Sequence, residues 1–343
     1  MNVFGTRATS VSVNKKNIAA VVAAAAASSA AAFAYSGHAA TTKSASSGIV
    51  VIETTLGYQG GQAAGTGMVL TPSGEVLTNN HVIAGATSIK VIVPSTGRSY
   101  TAQVVGYSVT SDTAVLKLQG ASGLATVTTG NSAKLKRGQL VRATGNAGGT
   151  GHLTTVTGHV TRLGRTITAT DGQQSEQLTG LIETNTPIQP GDSGGPLLDA
   201  FGKVEGMNTA ASRAGGYYFQ DATNDAYAIP ITAALKVVKQ VEAGSTTATV
   251  HVGATAFLGV QLAPGDGSGV AITGVVSGSA ADTAGLQYGD VITAVDGHAV
   301  SSPNALRALL LQKHPGDTAA LTWVDQLGSQ HSATVTLASG PPQ

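Results

Sequence analysis

"TNTPIQPGDSGGPLLDAFG", residues 184–202, decides how the rest of the chain is read. Ser193 stands there between Asp192 and Gly194-Gly195, with Pro190-Gly191 before it and Pro196 after. A nucleophilic serine needs a base within hydrogen-bond reach and a third group that orients the base. It also needs backbone N–H donors facing the oxyanion that develops on the substrate. The glycines meet the last need, because a backbone without Cβ can adopt turns that bring the amides of Gly191 and Ser193 to one point. The alternative is a glycine-rich β-turn with a solvated serine. "GDSGGP" set between two strand signals favours the nucleophile.

The base is found by elimination among eight histidines. His38 lies in the N-terminal segment, and His251, His298, His314 and His331 fall in a linker or the C-terminal module. His152 and His159 flank "LTTVTG" and read as strand or loop surface. His81 closes "GEVLTNNHVIAGA", where a strand runs into two asparagines that suit a tight turn. Its setting favours the catalytic reading over a structural histidine. The orienting acid should be buried beside His81 and accept from its ring N–H. Between His81 and Asp192 the acids are Asp112, Asp171, Glu176 and Glu183. Asp171 and Glu176 sit in the polar loop "ATDGQQSEQ". Asp112 leads straight into the apolar "TAVLKL", which draws it under the surface, and the order His81, Asp112, Ser193 favours it over a plain turn cap.

Bulk composition narrows the classes. The chain has 343 residues, a formal charge of +1 and 42% hydrophobic residues, enough for two or three domains with cores. Only 11% is charged and there is no basic run beyond pairs such as Lys15-Lys16, so nucleic acid is excluded as the main ligand. The absence of cysteine removes disulfides, thiol catalysis and Cys-ligated zinc. No HExxH occurs, and neither metal nor cofactor is expected. Within residues 1–40, Lys15-Lys16 precede "NIAAVVAAAAASSAAAFA" and then small residues. This reads as a secretory signal peptide cleaved near Ala39 or Ala40, or else as an uncleaved N-terminal anchor. Either places the remainder outside the cytoplasm, with membrane contact only if the segment is kept.

After a short linker, 41–47, the pattern from 48 to 243 is one of short β-branched runs separated by Gly, Pro, Ser and Asn, which predicts an all-β barrel or sandwich. It closes on "IPITAALKVVKQVEAG", whose apolar spacing, early Pro and terminal Gly244 predict a helix. A linker, 244–255, leads to a module at 256–340. There "FLGVQLA", "VAITGVV", "DVITAVDG", "AALTWV" and "SATVTLA" read as strands, "SAADTAG" and "PNALRALLLQK" as helices. That is a small α+β domain able to fold alone. The tail "SGPPQ" is expected to fray.

"TGMVL", "GEVLTNNHVI", "SDTAVLKL", "PIQPGDSGGPLLDAFGKVEGMNTA" and "YAIPI" together resemble the trypsin-like protease domain of the HtrA family. "FLGVQLA", "GSAADTAGLQYGDVITAVDGHAV" and "NALRALLLQKHPGD" resemble its PDZ domain, in the form of secreted actinobacterial members with one domain of each kind. The resemblance spans residues 48 to about 340. It implies a mainly β chain: a chymotrypsin-like double six-stranded β-barrel with the triad between the barrels, followed by a small α+β PDZ domain. It implies a serine endopeptidase acting on unfolded or damaged proteins, with Gly191 and Ser193 amides as oxyanion hole. Ile188, Ala211 and Ser212 would line the S1 pocket. With no acid around Pro187, a small or medium aliphatic P1 residue is expected. Phe257, Leu258, Gly259 and Val260 resemble the loop that receives a peptide's C-terminal carboxylate. A homotrimer is common in the family, yet no aromatic precedes Tyr58 in the mature start, so monomer and trimer stay open. The rival function is a PDZ-equipped chaperone or binding protein whose protease fold rests inactive. An esterase or acyl transferase is disfavoured, since "GDSGGP" lacks the strand-to-helix setting of the G-x-S-x-G elbow.

The chain departs from the family at one position. Most members resemble "GNSGG", where this chain has Asp192. In trypsin-like zymogens such an aspartate receives a freshly cut N-terminal amine, for which Ile49-Val50 would serve. Here the "IVGG" pattern is absent, and amides of the active-site loop are the expected partners of the buried carboxylate, whose role is to support the oxyanion loop.

Overall fold

The structure, a computed structural model, describes residues 46–171, 174–211, 217–218, 225–264 and 267–343. The 1–40 signal or anchor and most of the 41–47 linker lie outside the described residues, as does Ser212.

Six strands form the first barrel: β1 (Ile49–Leu56), β2 (Gly61–Val69), β3 (Glu75–Thr78), β4 (Ser88–Val93), β5 (Arg98–Ser108) and β6 (Thr113–Leu118). They run in the closed order β1-β2-β3-β6-β5-β4, and closure leaves none of the six with a free edge. A single-turn helix, α1 (Asn80–Ile83), follows β3. The second barrel closes in the same way from β7 (Leu140–Gly145), β8 (Thr154–Asp171), β9 (Gln174–Thr184), β10 (Pro196–Leu198), β11 (Val204–Ala211) and β13 (Ala226–Pro230). β12 (Tyr217–Tyr218) adds to β8. The two six-stranded barrels are the architecture expected.

In β1 the run Ile49 to Ile52 is wholly buried, unlike a strand with one wet face. Val50 and Ile52 fill the first barrel with Val76, Val91 and Leu116. Helix α2 (Ile231–Glu242) follows Pro230 and stops before Gly244, at φ 65. Its buried Ala234, Val237, Val238 and Val241 lie at helical spacing. They join Met68, Leu77 and Val115 of the first barrel with Met207 and Ile229 of the second in one cluster. Each such buried aliphatic side chain contributes roughly 1.5–3 kcal/mol. This cluster helps hold the barrels together, and side chains from both meet in the site described below.

The C-terminal module comprises β15 (Thr255–Phe257), β16 (Val260–Pro264), β17 (Val270–Val275), β18 (Val291–Val295), β19 (His298–Ala299), β20 (Thr318–Val324), β21 (Gln330–Thr336) and β22 (Ala338–Gly340), with helices α3 (Ala280–Thr283) and α4 (Pro303–Leu310). Its own core gathers Leu258, Ile272, Ile292, Leu306 and Trp323. Between the barrels and this module, β14 (His251–Val252) pairs with β5. Buried His251 sets its two ring nitrogens on the carbonyls of Leu311 and Ala254, at 2.9 and 3.1 Å.

One expectation fails. The tail does not fray: β22 pairs with β15, Pro342 O accepts from Gly85 N at 2.8 Å, and Gln343 O accepts from Asn80 Nδ2 at 3.0 Å. The pairing depends on Gly340, where a Cβ would fall 2.3 Å from the Cβ of Phe257.

Candidate active site

His81 stands on α1, where the first barrel's β3 ends. Asp112 lies in the β5–β6 turn at φ 43, with its N–H closing the turn onto Val109 O. Asn79 donates to the Asp112 carbonyl at 2.9 Å and so ties the turn to the start of α1. The Asp112 carboxylate is 1% exposed, and both its oxygens are engaged. Oδ1 accepts from the His81 backbone N–H at 3.0 Å and lies 3.0 Å from Nδ1; Oδ2 lies 2.9 Å from Nδ1. A carboxylate held so can orient an imidazole and offset the charge the ring takes up on protonation.

Ser193 comes from the second barrel, in the loop between β9 and β10. Its hydroxyl donates to Thr209 O at 3.2 Å. Thr209 Oγ1 in turn donates to Asp112 Oδ2 at 2.5 Å. Thr209 therefore joins the serine to the acid across the barrels, a role the sequence did not announce. It sits at a bulge, where the β11–β13 ladder passes from Asn208 to Ala210. Such a bulge re-aims the extra residue. The only hint in the sequence is a polar "NT" pair inside a buried strand.

The loop around Ser193 is held by its backbone. Asp192 N–H donates to Gln189 O, Gly194 N–H to Asn208 O and Gly195 N–H to Asp192 O. The N–H groups of Gly191 and Ser193 have no acceptor among the described residues. Gly194, at φ 83, would place a Cβ 2.0 Å from Thr66 O, so no other residue fits there.

Asp192 is 4% exposed. Its Oδ2 accepts from the Gln189 N–H at 2.9 Å, an amide of the loop, as expected. Oδ1 has no partner among the described residues. Ile49 N–H donates to Ser46 O and its strand is paired on β2, so it is not the partner. Burial raises the Asp192 pKa, and the Gln189 amide only partly offsets it. The folded chain thus holds this proton to higher pH than the unfolded chain. Stability is unpenalised below the ordinary carboxylate pKa, falls as pH rises through the window above it, and stays lowered once the group is ionised. Asp192→Asn removes the charge and keeps an acceptor for Gln189. We expect it to raise Tm at pH 7, where the buried carboxylate is penalised, with the gain shrinking towards pH 4. Calorimetry across pH checks this; a gain independent of pH would count against a buried charge.

Ile188 is half-buried and packs against the core of the second barrel. Ala211 closes β11, opposite Ala226. In the C-terminal module, Phe257 ends β15 with its ring stacked on Tyr58 at 5.0 Å. Leu258 is buried, Gly259 stands at φ 87 and Val260 opens β16, which lies at the edge of its sheet. The N–H groups of Leu258 and Gly259 have no acceptor among the described residues. Their carbonyls are taken by Ala281 N at 2.9 Å and Val276 N at 2.8 Å.

Comparison with known proteins agrees with both halves. Residues 65–207 match the trypsin-like peptidase domain family and residues 256–335 the PDZ domain family. The chain is thus a trypsin-like peptidase fold followed by one PDZ domain. Serine protease PepD of Mycobacterium tuberculosis is 37% identical over 304 residues, covering 84% of this chain and 63% of that protein. A probable periplasmic serine endoprotease, DegP-like, of Chlamydia trachomatis is 37% identical over 270 residues, covering 75% of this chain and 50% of its own length. The solved structure of the HtrA-type protease AlgW with a tripeptide superposes with a TM-score of 0.51 at 28% identity, covering 87% of this chain and 95% of that one. In both domains and in their order the chain is similar to HtrA-type serine proteases. It spans about half to two thirds of the length of these two curated relatives.

Proposed function

We propose that this chain is an exported serine endopeptidase that hydrolyses peptide bonds of unfolded or damaged proteins. The observation that carries it is the Asp112 carboxylate, with both oxygens on His81 and Ser193 joined to it through Thr209. In the reaction the Ser193 hydroxyl turns from Thr209 O to the His81 ring, which takes its proton as Oγ attacks the scissile carbonyl. The free N–H groups of Gly191 and Ser193 receive the oxyanion. His81 then returns the proton to the leaving amine, while Asp112 stabilises the imidazolium. Asp192 supports the loop that carries those amides. Ile188 lines the pocket for a small or medium aliphatic P1 side chain.

The free amides of Leu258 and Gly259, beside an unpaired strand edge, suit a peptide's C-terminal carboxylate, with the peptide adding a strand to β16. The PDZ domain then captures exposed C-termini for the protease. Several relatives are named periplasmic, which supports an extracytoplasmic location. Among the described residues no helix is long and apolar enough to cross a membrane. The test is labelling with a fluorophosphonate probe beside the Ser193→Ala variant. Wild type alone takes up the probe, on the peptide that carries Ser193. Labelling of neither protein, with aggregation suppressed equally by both, would favour the chaperone.

A further inference from the structure

Thr66 of β2 grips the loop that carries Ser193 from the opposite barrel. Thr66 is fully buried. Its N–H donates to Ser193 O at 2.8 Å. Its hydroxyl donates to Gly191 O at 2.7 Å and accepts from Asn146 N at 2.9 Å. Its carbonyl accepts from Thr78 Oγ1 at 2.7 Å, which fixes the strand from the far side. One residue of the first barrel therefore holds the carbonyls of the two residues whose N–H groups are free.

The consequence lies in peptide geometry. Gly191 stands at φ 96 and has no side chain to lock it. The peptide before it is set because Pro190 O accepts from Gly148 N at 2.7 Å. The Gly191 N–H belongs to that same plane and points away from the Pro190 carbonyl. The peptide after it is held at both ends, its carbonyl by the Thr66 hydroxyl at 2.7 Å and its Asp192 N–H by Gln189 O at 3.0 Å. A hydroxyl has one proton, and here it is committed to Gly191 O while the lone pair is used by Asn146. Valine would fill the same space but make neither bond. The following peptide would then keep only the Asp192–Gln189 bond, and because glycine turns readily about its backbone torsions it could shift and carry the Ser193 N–H out of line with the fixed Gly191 N–H.

We propose that Thr66 is a positioning residue for the oxyanion-binding loop: its hydroxyl keeps the Gly191 and Ser193 amides in the arrangement that receives the transition state. The proposal rests on the reading of Ser193 as nucleophile. Its test compares Thr66→Val, Thr66→Ser and wild type on an internally quenched peptide, with Ser193→Ala beside them. Thr66→Val is expected to lower kcat about 10–100-fold, less than outright loss of an oxyanion donor, with KM within about twofold because ground-state binding does not use the hole. A peptide aldehyde, which forms the tetrahedral adduct, loses affinity by the same factor, whereas the cleaved product peptide does not. Thr66→Ser restores kcat to within about threefold.

An unchanged kcat, a change confined to KM, or a serine variant as slow as valine overturns the positioning role. If far-UV circular dichroism shows that Thr66→Val does not fold, Thr66→Ala, which adds no volume, replaces it under the same criteria. Turnover that survives Ser193→Ala would instead remove the nucleophile assignment, and the proposal with it. Turnover that needs Ser193 but ignores Thr66→Val removes the positioning role alone.

Discussion

Ser193→Ala should lower kcat/KM on a quenched peptide by about 10⁵–10⁶-fold while the protein stays folded. Stability changes little because the hydroxyl makes one hydrogen bond, to Thr209 O, worth about 1 kcal/mol. Chemistry changes a great deal because no other hydroxyl can substitute. Thr209 Oγ1 is committed to Asp112 and Thr66 Oγ1 to Gly191. Alanine keeps the N–H at 193, so the oxyanion donors survive and leave a residual rate above that of water. Adding His81→Ala should then cost little more, since a base without its nucleophile has nothing to deprotonate; the two losses are far from additive. Steady-state kinetics on the two single variants and the double variant settle it. A loss under tenfold, or losses that multiply, would mean that the serine and histidine do not act as one unit.

The three residues proposed as this unit could be picked out in the sequence because each stands where strand signals meet turn signals: His81 after "TNN", Asp112 before "TAVLKL", Ser193 inside "GDSGGP". Local chemistry fixes such positions. The partner of Asp192 is local too, an amide three residues back. Thr66 and Thr209 were not legible, because a threonine in a strand is an ordinary β-branched residue. Only the meeting of two barrels turns their hydroxyls into links, at sequence separations of 125 residues for Thr66 to Gly191 and 97 for Thr209 to Asp112. The strand at His251-Val252 and the tail were missed for the same reason. Two residues have little strand propensity of their own; β14 is ordered by pairing with β5, and β22 by β15 and the contact of Gly340 with Phe257. Barrel closure itself came from the family resemblance, since periodicity marks strands but not their partners.

Asp112→Asn tests the acid with the smallest change of shape. Asparagine tolerates the positive φ of this turn better than most residues, so the fold should persist. Its amide has two placements. With nitrogen at Oδ1 it would face the backbone N–H of His81, donor against donor, at 3.0 Å. With nitrogen at Oδ2 it keeps that bond, and the NH₂ group then faces His81 Nδ1 at 2.9 Å and Thr209 Oγ1. The Thr209 hydroxyl can turn to accept one hydrogen, and the other goes to Nδ1, which favours the tautomer with its proton on Nε2. That ring cannot take a proton from Ser193 there. The negative charge that would stabilise the imidazolium is lost as well. Both effects act on the chemical step, so kcat should fall about 10⁴-fold, while KM and Tm change little. Kinetics at pH 7 with a parallel thermal melt check this. A loss below tenfold would show that Asp112 merely ties α1 to the β5–β6 turn, and a large loss accompanied by unfolding would leave the charge argument without support.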